Sequence, residues 1–171
     1  MYIDFGLRLA QPLDSIVQPT DRLVVVWEGP GVFGRPFDDP QIPPGLYQAF
    51  LACEPGHPAM IAVLDLCMKN IEECNYGLTP LFPTGPVCAY QAFEATVESF
   101  NPDGGFDPVS GVRVLFHRKY SGVYPTRAQS ADESNRLIKA KTTKYYSSGK
   151  NYHDNYGNMW MRRIALGEKQ K

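Results

Sequence analysis

Residues 47–86 read YQAFLACEPGHPAMIAVLDLCMKNIEECNYGLTPLFPTGP, and they combine a strand, a sharp turn and two helix starts. The apolar and aromatic residues at 48–53 predict a largely buried strand, which the turn EPGHP at 54–58 must end. Pro58 suits the first turn of a helix, where its missing N–H is not needed. Apolar residues then recur every three or four positions, which predicts a helix over 59–73. This apolar stripe consists of Met60, Val63, Leu64, Cys67, Met68 and Ile71.

A second helix start follows in the tripeptide TGP at 84–86. Thr84 is suited to the N-cap position, and Pro86 is suited to the first turn. The spacing of the apolar residues that follow predicts a helix over 87–100. These residues are Tyr90, Phe93, Val97 and Phe100.

Three further strands are predicted on either side of the two helices. The run LVVVW at 23–27 is typical of a strand buried on both faces, and VRVLF at 112–116 has a similar character. A short strand is expected at 3–5. Five prolines within residues 29–45 predict a long loop rather than a helix or a central strand. We therefore expect an α/β domain over residues 1–160 and a polar tail over 161–171.

The composition bounds the possible partners and the compartment. A formal net charge of −1 and a pI near 6.3 give no electrostatic reason to expect nucleic-acid binding. No apolar run approaches the roughly 18 residues that span a bilayer, and no signal segment opens the chain. The four cysteines match no zinc or redox spacing, so we expect buried free thiols in a reducing compartment. The expected location is the cytoplasm or the cytosolic face of a membrane.

Two features suggest ligands, and the first has a simpler alternative. Asp4 at a strand end is either a ligand for a divalent ion or a solvated carboxylate.

Residues 145–160 are rich in aromatic and amide side chains, which suits sugar recognition by stacking and hydrogen bonding. The sequence contains no glycine-rich phosphate loop, HExxH zinc motif or GxSxG nucleophile motif.

Several ordered blocks of the chain resemble glycosyltransferase family 32, the sugar transferases with a DXD motif that are related to capsular-polysaccharide and outer-chain mannosyl transferases. The resemblance extends from about residue 2 to residue 160. PGHP and TGP are short motifs, and the order of the blocks carries the resemblance. The blocks are YIDFG at 2–6, PLD at 12–14, QAF at 48–50, EPGHP at 54–58, TGP at 84–86, the strand at 112–116 with YP at 124–125, and His153 with Trp160.

The resemblance implies a GT-A fold, in which a nucleotide-sugar lies at the carboxyl ends of the strands. A Mn²⁺ or Mg²⁺ ion would bridge the diphosphate of the donor to the DXD carboxylates and stabilise the leaving group as a Lewis acid. By the resemblance, Asp4 and His153 are the expected metal ligands. The expected sugar pocket is lined by Gln48, His57, Thr84 and Gly85. The implied partners are a nucleotide-sugar donor and a glycan acceptor.

The chain departs from the family pattern in three ways. Gly6 stands where the second acidic residue of the DXD motif is expected, and Gln48 replaces the usual asparagine. The chain also begins on the DXD strand, so the nucleotide-binding half that precedes this strand in the family is expected to be missing. For these reasons we expect this chain alone to bind Mn²⁺ and a nucleotide-sugar weakly or not at all.

Three functional interpretations therefore stay open. The chain is a working hexosyltransferase, or it is a truncated relative that serves as a non-catalytic glycan- or partner-binding module. In the third interpretation, a separate chain or an upstream segment supplies the missing half. A sheet cut short at one edge would leave backbone groups unpaired, so we also expect a homo-oligomer.

Overall fold

Two helices and a mixed sheet make up the fold in the computed structural model, which describes residues 1–4, 7–28, 44–77, 82–98, 100–118 and 121–140. The described strands are β1 (Tyr2–Ile3), β2 (Leu7–Leu9), β3 (Leu23–Glu28), β4 (Gly45–Leu46), β5 (Phe50–Cys53), β6 (Gly105–Asp107), β7 (Val112–Arg118), β8 (Gly122–Tyr124) and β9 (Ile138–Ala140). The helices are α1 (Pro58–Glu72) and α2 (Pro86–Thr96).

The centre of the sheet is the parallel pair β3 and β7, which runs in register from Leu23 opposite Val112 to Trp27 opposite Phe116. Every residue of β3 is buried, as the continuous β-branched run predicts. The strand order is β1-β5-β3-β7-β8-β9-β2, and β4 and β6 pair with β3 and β7 respectively. Because β1 and β2 follow one another in the chain, both ends of this order belong to one segment. The sheet is therefore nearly barrel-shaped.

Alternation along β3 divides the core into two parts. Leu23, Val25 and Trp27 face α1 and α2, and they pack with Val112 and Val114 of β7. The intervening residues of β3 face the other side of the sheet, where a second cluster fills the interior of the curved sheet. That cluster contains Ile16, Val24, Val26, Phe50, Ala52, Leu115, Val123, Leu137 and Ile138.

Both helices begin at a proline, as the sequence predicts, but α2 differs in its ends. Its N-cap is Gly85 and not Thr84, and no side chain caps it. The helix ends at Thr96, because Val97 is extended. Phe100 still packs edge-on against Phe93, with 5.3 Å between ring centroids. The apolar pattern therefore included a core residue that lies beyond the end of the helix.

The prediction of buried thiols is only partly right. The four cysteines are free, but only Cys88 is buried, and Cys53 and Cys74 are exposed. Cys53 is the last residue of β5, and Cys74 lies just after α1 in the left-handed region, with φ of 53°. Local sequence indicates that a segment is apolar, but it does not show which side of that segment meets the core.

No helix in the described ranges is long and apolar enough to cross a membrane. The predicted tail over 161–171 lies outside the described residues, as does most of the predicted loop over 29–45. The described residues form a mixed sheet with two helices. The GT-A fold and the missing nucleotide-binding half stay predictions.

Candidate functional site

The parallel strands β3 and β7 end side by side, and each ends near an ionisable residue. Glu28 is the last residue of β3, and His117 is the penultimate residue of β7. We call this end of the two strands the carboxyl edge, and we include in it Glu28, Tyr47, Gln48, Gly85 and His117. The carboxyl ends of parallel strands are where open α/β sheets bind ligands.

Glu28 and His117 form a buried polar pair at the carboxyl edge. The Nδ1 of His117 lies 3.1 Å from Oε1 of Glu28, and only 10% and 5% of the two side chains are exposed. Alternation places both side chains on the interior face of the sheet, in line with Val26 and Leu115. A buried carboxylate requires such a partner, because the charged group loses its hydration.

Tyr47 packs against the imidazole ring of His117. Its ring is stacked on that of His117, with 4.2 Å between ring centroids and an interplanar angle of 9°. The backbone N–H of Tyr47 donates to the carbonyl of Val26 at 2.8 Å, which fixes the tyrosine beside β3. The histidine is therefore held by a carboxylate and by an aromatic face, and its orientation is restricted before any ligand binds.

Asp4 and Gln48 are brought together at the same edge. The N–H of Asp4 donates to the carbonyl of Ala49 at 2.7 Å, so Asp4 lies next to the turn that contains Gln48. Both residues are exposed. Because Gln48 directly follows Tyr47, this turn adjoins the His117 imidazole. A carboxylate and an amide thus stand in solvent beside the buried pair.

The start of α2 reaches the carboxyl edge through β4. Gly45 pairs with Glu28, and a Cβ added to Gly45 would lie only 2.9 Å from Cβ of Pro86. A glycine is therefore required for this close approach of strand and helix. The exposed Thr84 and the N-cap Gly85 lie next to Pro86, so they are near the backbone of Glu28, whose side chain faces the other side of the sheet. With no side-chain cap, the first N–H groups of α2 are left to other acceptors.

His57 lies at the opposite end of the sheet. The strand β5 runs antiparallel to β3, with Cys53 opposite Leu23, so the turn after β5 is at the amino end of β3. The Nδ1 of His57 accepts a hydrogen bond from the N–H of Ala59 at 3.2 Å, and burial lowers the pKa of the imidazole. His57 also lines a cleft of about 410 Å³ with Arg22 and Ser110. The structure thus separates His57 from Gln48, and it gives His57 a helix-capping role.

The carboxyl edge also contains an unsatisfied donor on its helix side. Of the side-chain polar atoms that the structure describes, the Nε1 of Trp27 is buried without a hydrogen-bond partner. The Arg127 guanidinium lies 5.2 Å from the ring centroid of Trp27 and 5.1 Å from that of Phe116. Arg127 is also ion-paired with Asp103 at 2.8 Å. The Arg127 guanidinium and the rings of Trp27 and Phe116 therefore lie on the face of the sheet opposite to the Glu28–His117 pair.

Only one of the two predicted metal ligands belongs to the described residues. Asp4 belongs to the described residues, but His153 and Gly6 do not. Within the described ranges, no group of three or more His, Cys, Asp or Glu side chains is placed to hold a metal ion. The described residues do not form a metal site by themselves, so the Mn²⁺ or Mg²⁺ ion stays a prediction.

Glu28 and His117 were not among the predicted site residues, although the sequence carried a signal for both. Each follows a strand that was predicted to be buried, and parallel strands place such residues at a common edge. The parallel pairing of 23–27 with 112–116 was the missing step. Nothing in the spacing of two segments almost ninety residues apart specifies that pairing.

A scan with protein-family models gave no match for the chain, and neither did searches of curated proteins and of solved structures. The resemblance to glycosyltransferase family 32 therefore depends on the ordered sequence blocks alone.

Proposed function

We propose that the chain is glycosyltransferase-like and that its carboxyl edge binds sugar during the transfer of a hexose from a nucleotide-sugar to a glycan acceptor. One observation carries the proposal. Asp4, Gln48 and Thr84-Gly85 come from three separate segments that the resemblance assigned to metal or sugar binding, and they lie at the same edge as Glu28 and His117.

The chemistry of these groups suits a sugar ligand. Sugar hydroxyl groups both donate and accept hydrogen bonds, and the Gln48 amide can do both in return. The Glu28 carboxylate only accepts, and the imidazole of His117 holds it in one orientation. The uncapped N–H groups of α2 are donors that suit a phosphate or hydroxyl oxygen. The edge therefore offers both kinds of hydrogen-bonding group.

A second candidate function is a non-catalytic glycan- or partner-binding module. Gly6 favours it, because glycine cannot replace the second carboxylate of a DXD motif. The two candidates share sugar binding at the carboxyl edge and differ in turnover. A separate chain that supplies the nucleotide-binding half remains part of the first candidate. Both candidates place the protein in the cytoplasm or on the cytosolic face of a membrane, and the free cysteines support this location.

The substitution Asp4→Ala tests the transferase candidate. The assay measures donor turnover with GDP-mannose or UDP-glucose, Mn²⁺ and a mannose oligosaccharide. We expect turnover to fall to background, while the melting temperature changes by less than about 2 °C, because the side chain is exposed and its backbone N–H bond survives. Asp14→Ala, at another exposed aspartate, is the matched control and should keep full turnover.

The outcomes of this assay, together with oligosaccharide binding by the natural sequence, separate the candidates. Turnover that depends on Asp4 supports the transferase. Oligosaccharide binding without turnover supports the binding module. A chain that neither turns over donor nor binds sugar contradicts both, and a large loss of stability in Asp4→Ala would identify Asp4 as a structural residue.

A further inference from the structure

The helices α1 and α2 bring two thiols into contact. The Sγ atoms of Cys67 and Cys88 lie 3.6 Å apart. The helices pack antiparallel, because Asn70 near the end of α1 contacts Cys88 near the start of α2, while His57 before α1 shares a cleft with Thr96 at the end of α2. A disulfide has its sulfur atoms about 2 Å apart, so the two atoms would need to approach by about 1.5 Å. Small side-chain rotations of both cysteines supply a movement of this size.

The two thiols differ in accessibility. Cys88 is fully buried, whereas Cys67 is half-buried. Burial raises the pKa of the Cys88 thiol to about 12, and the neighbouring Cys67 adds to this effect, so Cys88 stays protonated near neutral pH. A small oxidant arriving from solvent therefore meets Cys67 first.

Asn70 fixes Cys88 on its other side. Its Nδ2 lies 3.5 Å from the Sγ of Cys88 and donates to the carbonyl of Pro83 at 3.0 Å. The Oδ1 of Asn70 accepts a hydrogen bond from Asn75 at 3.1 Å. Asn70 is itself buried, with 3% of its surface exposed. The buried thiol is thus held in place facing Cys67.

We propose that Cys67 and Cys88 are a redox modification site, at which a hydroperoxide converts the thiol pair into a disulfide that joins α1 to α2. In the first step the sulfur of Cys67, as its thiolate, attacks one peroxide oxygen. The O–O bond breaks, and Cys67 becomes a sulfenic acid while the other oxygen leaves as water or an alcohol after taking a proton. In the second step the Cys88 sulfur attacks Cys67, the S–O bond breaks, and water leaves with the Cys88 proton.

The overall step balances. Two thiols and one hydrogen peroxide give one disulfide and two waters, and the two electrons that the thiols lose reduce the peroxide. The inference does not depend on the proposed function. A link between these helices would fix the first turn of α2, since Cys88 is the third residue of that helix and Pro86 contacts Gly45 at the carboxyl edge. Disulfides in reducing compartments are usually transient and redox-sensing, and this one would be of that kind.

The test uses hydrogen peroxide and the full chain with Cys53→Ser and Cys74→Ser, which replace the two exposed cysteines. These changes are needed because trypsin cleaves after Lys69, and the two resulting peptides would otherwise carry Cys53 with Cys67 and Cys74 with Cys88. After one equivalent of peroxide, we expect the intact chain to lose two hydrogen atoms in mass. The two tryptic peptides should be joined, and a reductant should separate them.

The matched controls are Cys67→Ala and Cys88→Ala in the same background. Cys88→Ala leaves the half-buried Cys67, which we expect to gain oxygen in mass, and Cys67→Ala leaves the buried Cys88, which we expect to stay unmodified. Neither control should give joined peptides. If the serine background does not fold, the natural sequence gives the same measurement, because added cleavage after Glu54 and Tyr76 separates all four cysteines. The inference is wrong if Cys67 and Cys88 gain oxygen independently, or if joined peptides arise only between chains.

Discussion

Glu28 is a carboxylate at the end of a strand that is otherwise apolar, and His117 is its buried partner. Removing one member of such a pair leaves the other charged or polar group without compensation, whereas replacing both removes the problem. The pair therefore has to be analysed as a unit. In the proposed site it also determines how Glu28 presents its carboxylate.

A double-mutant cycle measures this unit. We expect His117→Ala to lower the free energy of unfolding by about 3 kcal/mol, because Glu28 is then buried without its partner and the stacked ring is lost. The double variant Glu28→Gln/His117→Ala should lose less than the sum of the single variants, with a coupling of about 1–3 kcal/mol in urea unfolding. Additive losses would show that the two side chains do not interact in solution.

His57 makes stability depend on pH in a predictable direction. Burial lowers the pKa of its imidazole below the ordinary 6.5, an effect that Glu54 opposes and Arg22 reinforces. Below pH 6.5 the unfolded chain therefore takes up a proton that the folded chain resists. The free energy of unfolding decreases as the pH is lowered through this range, and His57 does not change it above this range. Protonation would also remove the acceptor that caps Ala59.

The variant His57→Asn keeps a capping side chain that does not titrate. We expect it to lose less stability than the natural sequence between about pH 7 and about pH 5, as measured by chemical unfolding at a series of pH values. Parallel pH curves for the two proteins would exclude a coupling of His57 to folding.

The helix α1 shows how far an apolar stripe determines burial. Val63 faces the core, but Leu64, Met68 and Ile71 are each more than half exposed. The sheet and α2 together cover only the side of α1 that carries Ala59, Val63 and Asn70. Spacing predicted the helix correctly, because both faces are apolar at helical intervals. It could not predict which face would be covered.

Substitutions on the two faces of α1 should therefore differ. We expect Val63→Ala to lower the free energy of unfolding by about 2 kcal/mol, since it deletes buried methyl groups and leaves a cavity. Leu64→Gln should change it by no more than about 0.5 kcal/mol, because its side chain is 63% exposed. Equal losses in thermal or urea unfolding would mean that the Leu64 face is covered in solution.

For the molecule as a whole, the sequence predicted the parts with strong local signals. Both helices and the strands β3, β5 and β7 lie close to their predicted positions, because proline starts and β-branched runs act locally. The closure of the sheet was not predicted, since it depends on short strands such as β2 and β9, which pair Arg8 with Lys139 across most of the chain. Two- and three-residue strands carry no detectable period.

The residues of the candidate site were predicted only in part. Asp4, Gln48, Thr84 and Gly85 came from the resemblance, and the fold gathers them at one edge. The resemblance also placed His57 in the sugar pocket, yet β5 carries the chain to the far end of the sheet. His153 lies outside the described residues. Self-association of the chain stays a prediction.

The central claim is that sugar binds at the carboxyl edge, and amide chemical-shift mapping by NMR tests it most directly. An isotope-labelled chain is titrated with a mannose oligosaccharide, and separately with GDP-mannose or UDP-glucose in the presence of Mn²⁺. We expect the largest shifts at Asp4, Tyr47, Gln48, Gly85 and His117, with weak binding of the nucleotide-sugars. Shifts confined to the His57 cleft, or none with any of these ligands, would contradict the account.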